Sequence, residues 1–216
     1  MDKEQLFAHV DYTLLRPTAT LAEIELMADE AVRYGAASLC IPPCYISRVR
    51  RHCPGLTIST VVGFPFGYAT CGAKVAAAEH ALEVGADEID MMINLTDVKN
   101  DNILRVMTEV AVMKKAVGEN ILKVIIETCY LTEQEKIRLC EIVTVAEADY
   151  IKTSTGFGSG GAQLADVKLL SKHIGERVKI KAAGGIRSAA EIEEFIRAGC
   201  ARIGTSTRYK ELFAGK

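Results

Sequence analysis

At 216 residues, 49% hydrophobic and 25% charged, the chain is long enough to bury a sizeable core, is too apolar for a disordered segment, and has no stretch of the apolar length that a membrane span needs. Its 26 basic and 28 acidic residues, net charge -2, are interspersed without long single-sign runs, which argues against a nucleic-acid or membrane-surface protein and for a small-molecule partner. The 7 cysteines are odd in number and scattered, and the opening MDKEQLFAHVDYTLL lacks the basic segment and apolar run of a signal peptide, so a cytoplasmic protein is expected.

Eight short apolar runs are read as strands: His9 to Leu14, Ser38 to Ile41, Thr57 to Val62, Glu88 to Asn94, Leu122 to Thr128, Tyr150 to Ser154, Val178 to Ala182 and Arg202 to Gly204. Helical apolar spacing fills the intervals at 21–34, 44–52, 71–84, 97–117, 132–147, 163–173 and 189–198, and a last helix is expected from Ser206 to Phe213. Gly35, Gly85 and Gly199 stand where a helix needs a left-handed cap before the next strand. Strands alternating with helices argue a parallel sheet, and eight of them without a linker predict one α/β domain over 1–216, a single (β/α)8 barrel. An open doubly wound sheet is the alternative; it lacks a GxGxxG turn after its first strand.

In a barrel, chemistry sits where strands run into their following loops. Strand alternation in EIDMMIN turns Asp90 and Asn94 inward if Ile89, Met91 and Ile93 face the helices. The same rule turns Lys152 inward with Tyr150 and Ser154, and Lys181 inward with Lys179, which is expected to snorkel to the opposite rim. Two lysines and an aspartate therefore converge on one barrel mouth, either as a buried ion-pair network or as reacting groups. A free lysine amine titrates near ~10.4, and burial beside a second cation lowers it by roughly 3 to 5 units at the extreme. A neutral amine attacks a carbonyl, and the protonated imine then serves as an electron sink, with Asp90 placed to move protons.

Gly184 and Gly185 follow the seventh strand, and Gly204, Thr205 and Ser206 the eighth, where barrels hold phosphate on backbone N–H groups. Ser206 is also expected to cap the last helix. The cluster Cys40, Cys44, His52 and Cys53 lacks a second CxxC pair and straddles Pro42, Pro43 and Pro54, so it is read as packing and no metal is expected. Cys40 is expected near the mouth as an inert, packed thiol.

The runs VDYTLL, GFPFG, EIDMMIN, LKVIIET, YIKTSTGF, VKIKAAGGIR and RIGTS, in this order over nearly the whole chain, resemble the deoxyribose-phosphate aldolase family of class I aldolases. The resemblance implies a barrel in which Lys152 forms a Schiff base with acetaldehyde, Lys181 lowers its pKa and Asp90 transfers protons with a water. It implies that D-glyceraldehyde 3-phosphate is the second product of cleaving 2-deoxyribose 5-phosphate. Gly184, Gly185, Gly204, Thr205 and Ser206 would hold the phosphate with Thr155 and Gly156 close by, Asp11 and Thr13 would face the sugar hydroxyls, and no metal or cofactor would be needed. Two positions depart from longer family members: Phe157 replaces a phosphate-reaching lysine, and the terminal ELFAGK lacks a tail tyrosine, Tyr209 being read as structural. A lysine-dependent aldolase or transaldolase with a ketose donor and a non-catalytic phosphosugar-binding barrel stay open beside it. A homo-oligomer, dimer or tetramer, is compatible with the helical faces.

Overall fold

The computed structural model describes residues 1–214. Eight parallel strands close a barrel in sequence order: β1 (Val10–Thr13), β2 (Ser38–Ile41), β3 (Ile58–Val62), β4 (Glu88–Met92), β5 (Ile121–Ile125), β6 (Tyr150–Lys152), β7 (Lys179–Ala183) and β8 (Cys200–Thr205). The surrounding helices are α1 (Lys3–Phe7), α2 (Leu21–Tyr34), α3 (Ile46–His52), α4 (Cys71–Glu83), α5 (Leu95–Lys99), α6 (Ile103–Val117), α7 (Glu133–Val145), α8 (Leu164–His173), α9 (Ala189–Arg197) and α10 (Tyr209–Leu212). All eight expected strands form, and the architecture is a (β/α)8 barrel. Among the described residues no helix is long and apolar enough to cross a membrane.

Local chemistry fixes the helix ends. Thr20 opens α2 through a capping box with Glu23, and Gly35 closes it at φ 71°. Gly85 and Gly199 take φ 111° and 109° at the expected helix-to-strand joints. The strands are buried on both faces: apolar residues such as Ile89, Met91 and Ile151 pack in the main core, while Asp90 and Lys152 face the barrel interior.

Four expectations change. The long helix expected over 97–117 is two, because Asn100 to Asn102 break it and Asp101 takes φ 56°. β4 ends at Met92, so Asn94 does not point into the barrel; its side chain accepts from the Thr96 N–H and caps α5. The last helix begins at Tyr209 with Arg208 at its N-cap, whose side chain donates to Glu30 and does not cap the helix, so Ser206 is not the cap. α1 was not anticipated; a capping box between Asp2 and Gln5 starts it, and Leu6 and Phe7 bury its inner face.

The register between β6 and β7 pairs Lys152 with Lys181, and that between β4 and β5 pairs Asp90 with Lys123. In a parallel sheet such partners project to the same face. β7 and β8 slip by one residue at Ile180/Lys181, a bulge beside the charged interior that sets Lys181 opposite Arg202.

Candidate active site

Asp90 sits at the centre of the barrel, fully buried between three lysines. Its Oδ2 accepts from Lys152 Nζ and from Lys181 Nζ, each at 2.7 Å. Its Oδ1 accepts from Lys123 Nζ at 2.9 Å and from the Ser59 hydroxyl at 3.1 Å. One carboxylate thus uses both oxygens on three ammonium groups, which is why its pKa lies well below the usual carboxylate range despite complete burial.

The two candidate catalytic lysines are electrostatically unequal. Lys152 is pushed below the ordinary lysine value by burial and by the Lys181 ammonium, against the pull of Asp90. Lys181 is buried as deeply, but the carboxylates of Asp11 and Asp90 outweigh burial and hold it above the ordinary value. Lys152 is therefore the amine that gives up its proton first.

Lys152 also lines a cleft of about 370 Å³ at the mouth. Thr13, Thr155, Gly156, Gly184, Gly185, Gly204, Thr205 and Ser206, all expected around the substrate, line it too, together with Arg16 and Arg187, which the sequence reading did not pick out. Gly184 and Gly185 take φ 89° and 81°, the left-handed region in which glycine carries no steric penalty. A Cβ on Gly161 would stand 2.2 Å from the Gly184 carbonyl oxygen, so the loop after β6 rests backbone on backbone against the loop after β7. The Ala162 N–H joins them by donating to the carbonyls of Ala183 and Gly184 at 3.1 and 3.0 Å.

The hydroxyls of this cleft serve the scaffold. Thr155 gives both its backbone N–H and its hydroxyl proton to Glu127, and its oxygen accepts the Phe157 N–H at 3.0 Å. Thr205 donates to the Ile186 carbonyl at 2.6 Å, and Thr13 to the Asp11 carbonyl at 2.7 Å. The polar groups these hydroxyls leave at the cleft are main-chain N–H groups and the side chains of Arg16 and Arg187. Glu127 is itself a residue the sequence reading left without a role; it takes φ 52°, and burial raises its pKa.

Asp11, expected at the sugar hydroxyls, lies a layer deeper. It is fully buried, ion-paired with Lys181 and Arg202, accepts from the Ser38 hydroxyl at 2.8 Å, and does not line the cleft. The reason is its place on β1: it pairs with Gly204 and Ser38, below the strand end that Thr13 occupies. The same layer holds Lys123, Glu88 and Arg202, joined by Lys123 to Glu88 at 2.5 Å and Arg202 to Glu88 at 2.8 Å. None of these three was read from the sequence as part of the site. Alternation turns Glu88 inward, two residues before Asp90, whereas the meeting of Lys123 and Arg202 with it follows from the strand register.

Lys179 is exposed and lies 5.8 Å from the centre of the Tyr150 ring, as its snorkelling role requires. Cys40 is fully buried and burial raises its thiol pKa, which makes it inert as expected. The four residues weighed as a metal site do not gather: Cys40 is inside, Cys44 is exposed, and His52 lies with its Nε2 2.8 Å from Asp29. Asp29, His52 and Cys53 do bring ligand atoms within 4.8 Å of one another at the surface, where nothing encloses them.

A closed barrel with a buried lysine of lowered pKa lining a cleft at the strand ends is the arrangement that carbonyl chemistry through an amine calls for. The family model of the DeoC/LacD family aldolases matches residues 4–207. A deoxyribose-phosphate aldolase of Clostridium botulinum is 54% identical over 207 residues, 95% of this chain and 94% of the relative, and one of Clostridioides difficile is 52% identical over 204, 94% and 93%. A solved structure described as the unique tetramer of deoxyribose phosphate aldolase from Aeropyrum pernix superposes with a TM-score of 0.91 at 30% identity, covering 98% of this chain and 90% of that one. The chain belongs to the DeoC/LacD family of aldolases.

Proposed function

We propose that the chain is a class I aldolase that reversibly cleaves 2-deoxy-D-ribose 5-phosphate into acetaldehyde and D-glyceraldehyde 3-phosphate. The observation that carries this reading is the position of Lys152: its amine has a lowered pKa, lines the cleft, and touches Asp90 at 2.7 Å.

In the cleavage direction the neutral Lys152 amine adds to the C1 aldehyde of the open-chain sugar. The carbinolamine loses its hydroxyl as water and becomes a protonated imine. The C3 hydroxyl then gives up its proton to Asp90, directly or through a water, while the C2–C3 electron pair moves toward the iminium nitrogen. Glyceraldehyde 3-phosphate leaves and an enamine stays on Lys152. Protonation of its terminal carbon and addition of water release acetaldehyde and regenerate the amine. Lys181 keeps its own proton throughout and so favours the neutral form of its neighbour.

The phosphate is read as lying against the amides of Gly156, Gly184, Gly185 and Ser206, with Arg187 and Arg16 at the rim, on the support of the cleft these residues form. The sugar hydroxyls are read as meeting Thr13 and Thr155 through oxygen lone pairs, whose protons are already donated elsewhere. The site of action is read as the cytoplasm, and self-association rests on the tetramer described for the Aeropyrum pernix relative; light scattering decides it.

The test is reductive trapping. Borohydride with acetaldehyde is expected to add a two-carbon unit to Lys152 and abolish activity, whereas dihydroxyacetone leaves Lys152 unmodified. A label on Lys181, or on no lysine, would sink the assignment.

A further inference from the structure

The charges in the barrel interior nearly cancel, and the remainder falls on Lys152. Three carboxylates, Asp11, Glu88 and Asp90, are matched by three cations, Lys123, Lys181 and Arg202, linked by ion pairs. With Lys152 neutral the cluster sums to zero. With Lys152 protonated the six groups and the amine carry one uncompensated positive charge on a side chain only 3% exposed, and an unpaired buried charge is costly.

We propose that Lys123 and Glu88, neither of which lines the cleft, are positioning residues that set the charge balance of the cluster and through Asp90 the pH at which Lys152 becomes nucleophilic. This inference rests on the amine role of Lys152 proposed above.

The geometry gives each a route. Lys123 occupies Oδ1 of Asp90 at 2.9 Å and so shares the carboxylate on which Lys152 depends. Glu88 sits one step further away, drawing on Lys123 at 2.5 Å and on Arg202 at 2.8 Å. Asp11 faces the cluster from β1, Glu88 and Asp90 from β4, Lys123 from β5, Lys181 from β7 and Arg202 from β8. Cys40 on β2 and Tyr150 on β6 stay neutral, because burial raises both, and β3 supplies the uncharged Ser59. Glu127, beyond the end of β5, accepts from Thr155 and lies within electrostatic reach of Lys152; it is the same in every variant, so it sets a common offset and leaves the direction of each shift unchanged.

The signs follow from the sum. Lys123→Met leaves three carboxylates against two cations, so a protonated Lys152 now completes the balance and holds its proton to higher pH. Glu88→Gln leaves two carboxylates against three cations, and Lys152 sheds its proton at lower pH. The double variant restores zero.

The experiment follows acetaldehyde and borohydride labelling of Lys152, and kcat/KM, against pH in the full-length protein. The midpoint is expected to rise by about one pH unit in Lys123→Met, to fall by about as much in Glu88→Gln, and to return to the parent value in the double variant. A variant that only loosened the barrel would slow labelling at every pH without moving the midpoint. Shifts of the same sign in both single variants, or none in folded proteins, would overturn the proposal while leaving Lys152 as the nucleophile. Should circular dichroism find Lys123→Met unfolded, Glu88→Gln decides alone: a lower midpoint supports the proposal, and an unchanged or higher one overturns it. Absence of label on Lys152 in the parent protein overturns the functional reading itself.

Discussion

Lys152 and Lys181 share a single oxygen: both ammonium nitrogens lie 2.7 Å from Oδ2 of Asp90. Two cations held that close cannot be equally comfortable, and Asp11 breaks the tie by pairing with Lys181 alone of the two. Removing the better-stabilised cation relieves the other. Lys181→Leu is expected to raise the pH at which Lys152 loses its proton, so that kcat/KM at neutral pH falls by about tenfold or more and partly recovers in alkaline buffer. A pH–rate profile checks this; full activity with an unchanged profile would remove the tuning role of Lys181.

The Gly161–Gly184 contact makes a prediction about binding. In Gly161→Ala the new Cβ would stand 2.2 Å from the Gly184 carbonyl oxygen, which forces apart the two loops that frame the cleft. KM for the phosphorylated sugar should rise by about tenfold, the loss of one well-placed hydrogen bond, with kcat largely retained. Turnover of unphosphorylated 2-deoxyribose should change far less, and an equal effect on both substrates would speak against phosphate binding there.

Away from the site, Lys74 and Glu109 form a buried pair at 2.7 Å that also ties the end of β4, through Lys74 to the Met92 carbonyl at 2.8 Å and the Asn94 N–H to Glu109 at 3.1 Å. Burial already pushes the Glu109 carboxyl up. Lys74→Met should therefore cost about 3 to 5 kcal/mol of stability by leaving that carboxylate buried without its cation, and Lys74→Met/Glu109→Leu should recover much of it. Urea denaturation measures both.

Stability should also fall in acid from one identifiable source. Asp11 and Asp90 both have folded-state pKa values depressed below the ordinary carboxylate range, so the stability they contribute is fully present above the unfolded value of about 4. It is lost as the pH drops from there toward their folded values, when protons must enter the cluster and strand its cations. Urea midpoints are expected to hold from pH 7 to about 5 and to decline below about 4. An early collapse above pH 5 would place the acid lability elsewhere.

Period-two and period-3.6 patterns carried the architecture, because strands buried on both faces leave short apolar runs that helices punctuate. The mouth of the barrel was equally readable, since glycines and hydroxyls cluster at strand ends. What escaped was the layer beneath. Lys123, Glu88 and Arg202 lie in mid-strand or at a strand start, among residues that sequence reasoning assigns to packing, and only the register reveals that they meet. Asp11 was recognised but placed too high for the same reason. The break at Asn100 to Asn102 lay within a helical apolar pattern that continued on either side of it, so periodicity alone bridged the gap.

The ion pair between Asp11 and Arg202 joins residues 191 positions apart. During synthesis the first strand therefore emerges with a carboxylate whose guanidinium partner is among the last groups to be made. A piece of the chain lacking β8 leaves the ring open and leaves Asp11 and Glu88 without the Arg202 guanidinium they share, with only the lysines of β5 and β7 to face them. Assembly of this interior is consequently a late event that waits for the eighth strand, as expected for a topology whose first and last strands are neighbours.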